Sequence, residues 1–202
     1  MNENTLRRIA IVLAALTVLA TAAVARAAED KPAPTLQEDR FFNEVGFITG
    51  FGYSKIREGD YLPVPLMVHM GMDLNRWFPS LKDHRGVLTV FIEPQFNLAF
   101  GTDFDIEAGV GIGLKYRYSL NDVTSIYGLA SVGPHVITVN TKDQADGFVF
   151  ADTVGVGIAL AVMPGACLDL GVRLRHLSNA DLKEPNFGID TIIGTVGFTI
   201  SR

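Results

Sequence analysis

From residue 44 onward, apolar and polar residues alternate with a period of two, which is typical of β-strands with two different faces. In the segment 88–100, the apolar face carries Leu88, Val90, Ile92, Phe96, Leu98 and Phe100, and the polar face carries Thr89, Glu93, Gln95 and Asn97. The segment 105–118 repeats this pattern with apolar even positions and glycine or charged odd positions. No later segment has the spacing of a long amphipathic helix. The pattern therefore predicts an all-β domain.

Rows of this kind recur often enough to predict eight antiparallel strands. The regular rows fall near 45–53, 62–74, 88–100, 105–118, 148–162, 166–176 and 190–200. The segment 123–140 is less regular, and we assign it as a strand because the order of the others requires one there. Each row is long for a soluble strand, and tilted strands of this length match the roughly 25 Å apolar band of an outer-membrane barrel.

The size of the side chains in the two rows of each strand indicates which row faces the interior of the predicted barrel. Rows rich in Gly, Ala and polar residues fit the narrow interior of an eight-stranded barrel, whereas rows of Leu, Phe and Ile are too bulky for it. We therefore predict an eight-stranded antiparallel transmembrane β-barrel of the outer membrane, with its apolar rows in lipid. The alternative is a soluble lipocalin-like barrel that buries these rows around a ligand. A closed barrel has no edge strand for proline, which predicts bulges near some of Pro63, Pro65, Pro94 and Pro134.

The N-terminal residues differ in character from the predicted barrel. Arg7 and Arg8 precede an uncharged run at 9–25, and Ala25 and Ala27 have the spacing of a signal-peptidase site. The alternative for this run is a membrane-anchoring helix, for which it is at the short limit. We predict a signal peptide at 1–27, a polar linker at 28–43 and the barrel at 44–202.

Charge and cysteine content narrow the classes of function. The chain has 17 basic and 22 acidic residues, and removal of residues 1–27 takes away three basic and one acidic residue, which leaves a net charge of −7. No nucleic-acid partner is expected for such a chain. Cys167 is the only cysteine, which excludes an internal disulfide and a cysteine-based zinc site. We expect no metal site and no other cofactor.

Most remaining charged residues occupy inward positions of the predicted strands. We expect them to form a network that fills the lumen, which argues against a transport pore. They are Glu93, Asp105, Glu107, Lys115, Arg117, Asp169, Arg173 and Arg175.

One polar cluster lies instead on the apolar face of the last two predicted strands. His176 and Ser178 continue the apolar row of the seventh strand, and Asp190 begins the corresponding row of the eighth. With both termini in the periplasm, all three lie at the extracellular end. Ionisable groups that face lipid are costly, so they indicate a functional site. A base, a hydroxyl and a carboxylate are the parts of an acyl-transfer triad. The alternative is structural, with a strand end followed by an ordinary turn.

The residues around this cluster resemble those of a known family. The motif His176-Leu177-Ser178-Asn179-Ala180, followed by Pro185-Asn186 and Gly188-Ile189-Asp190, is similar to the lipid A 3-O-deacylase (PagL) family. The resemblance implies that Ser178 is the nucleophile, His176 the general base and Asp190 the acidic member, where the best-known form of the family has Glu. It also implies that Asn179 and Asn186 shape the oxyanion hole, by their amides or by holding loop N–H groups.

Together, the residues and the resemblance predict an outer-membrane esterase that removes a hydroxyacyl chain from lipid A. The preference for position 3 comes from the resemblance alone. The expected partners are lipopolysaccharide as substrate and the lipid of the outer membrane, and a homodimer is left open. The alternative is a non-catalytic structural or adhesive eight-stranded barrel.

Overall fold

The computed structural model describes residues 41–78, 85–101 and 103–201. In these ranges the chain forms a short 3-10 helix at Leu74–Arg76 and eight β-strands: β1 (Glu44–Ile56), β2 (Gly59–Asp73), β3 (Gly86–Phe100), β4 (Phe104–Ser119), β5 (Thr124–Ile137), β6 (Gly147–Met163), β7 (Ala166–Ser178) and β8 (Ile189–Ser201). Each strand pairs antiparallel with the next, and β8 pairs with β1, so the barrel is closed. The predicted fold is confirmed.

The predicted signal peptide at 1–27 and residues 28–40 of the predicted linker lie outside the described residues. In the described part of the chain, no helix is long and apolar enough to cross a membrane.

The outer surface of the barrel is apolar along most of the strand length. The strands have 13 to 17 residues, and their outward rows leave large apolar side chains exposed, among them Val45, Leu114, Val156, Val172 and Leu174. The inward rows of the same strands are rich in charged, polar and small residues. A soluble barrel would have the opposite arrangement, because water outside and a ligand inside require it. The lipocalin-like alternative is therefore wrong.

The lumen contains the expected charge network. Glu93 accepts two hydrogen bonds from the guanidinium of Arg173, with Nη1 2.6 Å from Oε2, and Glu107 accepts two from Arg175. His69 lies between Glu93 and Glu44, and Lys115 also pairs with Glu44. Buried charges are tolerated when each has an opposite partner and further hydrogen bonds, as here.

The prolines interrupt hydrogen bonding without shifting the strands. Pairing between β1 and β2 stops after Thr49–Leu66 and resumes at Ser54–Tyr61, on either side of Pro63 and Pro65, in the same register. The β2–β3 and β4–β5 ladders have similar gaps beside Pro94 and Pro134. The bulges expected near these prolines are therefore wrong. A proline lacks only its own N–H donor, and the hydroxyl of Thr49 donates to the carbonyl oxygen of Pro65 across one such gap.

The described residues of four connections lie together at one end of the barrel, which we call the loop end: residues 57–58, 101 and 103, 138–146 and 179–188. Below them, apolar side chains close the lumen. This cluster comprises Ile56, Tyr61, Ala99, Ile137, Val139, Val149, Ala151, Leu177 and Ile189. Leu177 and Ile189, at the end of β7 and the start of β8, are almost completely buried in it. Their burial fixes the outward direction of the residues on either side of them.

Candidate active site

The cluster predicted on β7 and β8 is centred on His176 and Asp190. The two residues are direct cross-strand partners, and Nδ1 of His176 lies 2.7 Å from Oδ1 of Asp190. The side chain of His176 is 41% exposed and that of Asp190 is 89% exposed, so both face outward as predicted. A carboxylate that accepts a hydrogen bond from Nδ1–H favours the tautomer in which Nε2 is unprotonated, which is the one that a general base requires.

Ser178 lies two residues beyond His176, on the same face of β7. This spacing separates the two Cα atoms by about 7 Å. The hydroxyl of Ser178 makes no hydrogen bond to another described residue. The structure thus brings His176 and Asp190 into contact and places Ser178 beside them without joining it to the imidazole. Catalytic hydrogen bonds are often long in the absence of substrate and shorten when it binds.

Gly188 leaves space for the edge of the His176 ring that carries Cε1 and Nε2. Gly188 directly precedes β8 with a φ of 82°, and continuation of the β7–β8 register places it opposite Ser178. A Cβ atom on Gly188 would lie 3.0 Å from Nε2 of His176 and 2.5 Å from Cε1. The Cε1–Nε2 edge of the ring therefore occupies the space that a side chain on Gly188 would fill.

The two predicted oxyanion asparagines are hydrogen-bonded inside the loop 179–188. The side-chain oxygen of Asn186 accepts from the main-chain N–H of Asn179 at 2.8 Å, and its amide nitrogen donates to Asp181. The amide nitrogen of Asn179 donates to the carbonyl oxygen of Lys183 at 2.6 Å. These contacts favour the second of the two predicted roles, in which the asparagines hold the loop.

Neighbouring loops hold the same segment from outside. The main-chain oxygen of Asp143 accepts from the N–H groups of Phe187 and Gly188, at 2.7 and 3.1 Å. Gln144 forms an isolated β-bridge with Asn186. The segment that carries Gly188 is therefore fixed by main-chain contacts to the loop 138–146.

An ion pair adds to this contact between loops. Nζ of Lys183 lies 2.5 Å from a carboxylate oxygen of Asp146, and this hydrogen bond lowers the pKa of Asp146 below its ordinary value. Because both groups are largely exposed, the pair is a minor contribution to the loop contact.

Asp152 is a site residue that the sequence analysis did not include. It lies on β6 directly opposite His176, its side chain is exposed, and it does not hydrogen-bond to the imidazole. The signal was present in the sequence, since Asp152 is a single carboxylate in the outward row of Phe148, Phe150, Val154 and Val156. His176 is thus flanked by a carboxylate on each neighbouring strand, and of these two only Asp190 hydrogen-bonds to it.

Apolar surface extends from this site along the outside of the barrel. A groove of about 870 Å³ is bounded by His176 and Asp190 and by apolar residues that include Leu174 and Ile192. A second open groove, of about 620 Å³, lies farther along β7 and β8, where Gly194 leaves a gap between larger side chains. In the ranges 41–78, 85–101 and 103–201, no three metal-ligating side chains are grouped to hold an ion.

Comparison with known proteins relates the chain to outer-membrane barrels. The family model described as Lipid A 3-O-deacylase (PagL) matches residues 67–199. The crystal structure of the outer membrane enzyme PagL is 20% identical, with 79% of this chain and 99% of that chain covered and a TM-score of 0.54. The crystal structure of Neisserial surface protein A (NspA) is 15% identical, with 79% and 96% covered and a TM-score of 0.57. No curated protein sequence matches significantly. At these identities the two structures show the fold alone, an outer-membrane β-barrel.

Proposed function

This chain belongs to the lipid A 3-O-deacylase (PagL) family, and we propose that it is an outer-membrane esterase that removes an ester-linked hydroxyacyl chain from lipid A. The observation that supports this most directly is the His176–Asp190 contact on the outward face of the barrel, with Ser178 beside it. A lipid substrate can approach such a site from the outer leaflet without leaving the membrane. The preference for position 3 is carried over from the family.

In the proposed reaction, Oγ of Ser178 attacks the ester carbonyl while Nε2 of His176 takes the hydroxyl proton. Asp190 accepts a hydrogen bond from Nδ1–H and stabilises the imidazolium. The bond between the acyl carbon and the sugar oxygen then breaks, His176 gives the proton to this oxygen so that it leaves as a hydroxyl, and the acyl group remains on Ser178. Water, deprotonated by His176, hydrolyses this ester and releases the fatty acid with Ser178 restored.

The loop 179–188 is the proposed source of oxyanion donors. Charge develops on the carbonyl oxygen during attack, and fixed main-chain N–H groups stabilise it without reorganisation. Asn179 and Asn186 fix the loop through the hydrogen bonds between them and to Asp181 and Lys183. We therefore assign them the role of holding the loop in the geometry that the oxyanion requires.

The apolar grooves along β7 and β8 are proposed to receive the acyl chain. They begin at His176 and Asp190 and continue past Leu174 and Gly194. A hydrocarbon chain gains about 0.8 kcal/mol for each methylene group that it removes from water. In a membrane this gain is already made in lipid, so the grooves serve to orient the ester toward Ser178 more than to increase affinity.

The proposal is tested by mass spectrometry of lipid A from cells that express the wild-type chain, Ser178→Ala or Ser125→Ala. Ser125 is a control, because it is a half-buried serine at the other end of the barrel. Loss of one hydroxyacyl chain in the wild type and in Ser125→Ala, but not in Ser178→Ala, would support the deacylase and its nucleophile. Membrane insertion is confirmed for all three.

Unmodified lipid A in all three strains would be explained by a latent enzyme or by a non-catalytic barrel. An assay of the same three proteins in detergent would distinguish these two explanations. Deacylation in detergent by the wild type and Ser125→Ala, but not by Ser178→Ala, would mean an enzyme held latent by its membrane. No deacylation there would favour a non-catalytic structural or adhesive barrel, and would contradict the proposed function.

A further inference from the structure

A positively charged side chain on β1 lies immediately beside the candidate site. The outward row of this strand passes through Tyr53 to Lys55, whose side chain is 70% exposed. The β1–β8 register, which pairs Tyr53 with Ile192, places Lys55 opposite Asp190 when continued by two residues. Lys55 also lines the groove that contains His176 and Asp190. A positive charge is therefore available at the edge of the site, where the strands emerge from the apolar surface.

A second positively charged side chain, that of Arg57, is held in a fixed position close to Lys55 in the chain. Nε of Arg57 lies 3.0 Å from the carboxylate of Asp143, which also accepts the main-chain N–H of Arg57 at 2.7 Å. The guanidinium carbon lies 4.1 Å from the centre of the Phe187 ring. These contacts use Nε and one face of the guanidinium. Its two terminal nitrogens have no hydrogen-bond partner among the described residues, and the side chain is 52% exposed.

Carboxylates close to the two cations do not neutralise them fully. Asp60 lies 3.3 Å from Nζ of Lys55, an exposed pair that contributes little and leaves the other N–H groups of the ammonium available. The contact recorded between Asp143 and the Arg57 side chain is at Nε, at 3.0 Å. A groove of about 410 Å³ is lined by Lys55, Arg57, Gly188 and Asp190, among others. An anion in this groove would contact both cations while its carrier lies against the site.

We propose that Lys55 and Arg57 form a binding site for a phosphate monoester on the headgroup of the lipid substrate. This rests on the proposed function, because lipid A is a phosphorylated glycolipid. Two parallel N–H groups of a guanidinium match the geometry of phosphate oxygens, and an ammonium adds a flexible charge beside them. Lys55 follows Tyr53 at the end of the outward row, the level at which headgroups are expected. The phosphate would fix the sugar, and with it the ester, relative to Ser178.

Binding is measured on the full chain carrying Ser178→Ala, so that no turnover is needed. In detergent micelles, its Kd is determined for bis-phosphorylated lipid A and for the same lipid A after enzymatic dephosphorylation. We expect the phosphorylated lipid to bind about tenfold more tightly, the effect of one good hydrogen bond to a charged group. The binding ratio is the Kd for the dephosphorylated lipid divided by the Kd for the phosphorylated lipid. Adding Lys55→Gln or Arg57→Gln to the Ser178→Ala chain should reduce this ratio toward one. Lys142→Gln, the same charge change on the loop 138–146, should leave it unchanged.

The proposal is overturned if the ratio is one in the parent chain, if neither Lys55→Gln nor Arg57→Gln lowers it, or if Lys142→Gln lowers it equally. A loss of affinity that is equal for both lipids in Arg57→Gln would mean that this residue only holds the loop, and would remove it from the site. Inorganic phosphate alone, if it bound as tightly as the phosphorylated lipid, would overturn the assignment to a lipid headgroup.

Turnover by the wild-type chain distinguishes this proposal from the proposed function. Hydrolysis of neither lipid, together with a preserved binding ratio, would contradict the esterase and support the phosphate site. Hydrolysis of both lipids with a binding ratio of one would support the esterase and contradict the phosphate site.

Discussion

His176 and Asp190 are opposite one another on β7 and β8, and Nδ1 of the imidazole lies 2.7 Å from a carboxylate oxygen. In an antiparallel pair, directly opposed side chains have Cβ atoms about 5 Å apart, so the strand register brings the two side chains within hydrogen-bonding reach. The short side chain of Asp is sufficient at this distance. Its presence where the best-known form of the PagL family has Glu therefore does not break the hydrogen bond to histidine.

Asp190→Asn is expected to lower kcat by about 10² to 10⁴, because an amide cannot hold the imidazole in the required tautomer or stabilise its charged form. Asp152→Asn is the matched control, since Asp152 is the cross-strand partner of His176 on the other side but does not hydrogen-bond to it. Steady-state hydrolysis by the purified variants measures both. Equal losses in the two variants would contradict the assignment of Asp190 as the acidic member.

Gly188→Ala is expected to reduce activity strongly while the barrel remains folded. The added Cβ would occupy the space of the His176 ring edge, and the backbone has a positive φ. Gly147→Ala is the control, because Gly147 also has a positive φ, of 101°, but a Cβ there would meet nothing within 4 Å. Both should lose a similar free energy of unfolding, about 1–2 kcal/mol. Loss of kcat should occur in Gly188→Ala only, and equal kcat values would contradict the proposed ring position.

Glu93→Ala is expected to decrease the free energy of unfolding by about 3–5 kcal/mol, because it leaves the buried guanidinium of Arg173 without its partner. The double variant Glu93→Leu with Arg173→Met removes both charges and should be less destabilised. Equilibrium unfolding in denaturant, with the barrel in lipid vesicles, measures the free energy of unfolding of each variant. A double variant less stable than Glu93→Ala would mean that the ion pair itself stabilises the fold.

A nitroxide label at Leu174 is expected to be shielded from water-soluble paramagnetic quenchers in vesicles. Leu174 is 56% exposed on the apolar outer surface, whereas Leu182, 71% exposed in the loop 179–188, should be freely accessible. The native Cys167 is first replaced by Ala, so that each variant carries one label. Electron paramagnetic resonance power saturation gives the accessibility. A Leu174 label as accessible as one at Leu182 would show that this face does not contact lipid.

The sequence by itself determined the fold class, the number of strands and the face on which the candidate residues lie. Successive side chains of a strand point in opposite directions, so the two-residue period alone assigns Val172, Leu174 and His176 to one face and Arg173 and Arg175 to the other. The contrast in bulk between the rows was sufficient to assign the inside. The motif around Ser178 indicated the family.

Only the tertiary structure decided which groups meet. The position of Asp152 opposite His176, the contact of Asp143 with Phe187 and Gly188, and the packing of Arg57 on Phe187 join residues far apart in the chain. The prolines also interrupt the ladders without the predicted bulges. Periodicity reports the direction of each side chain, which local backbone geometry sets. Cross-strand partners and loop contacts depend on register and closure, which the whole barrel sets.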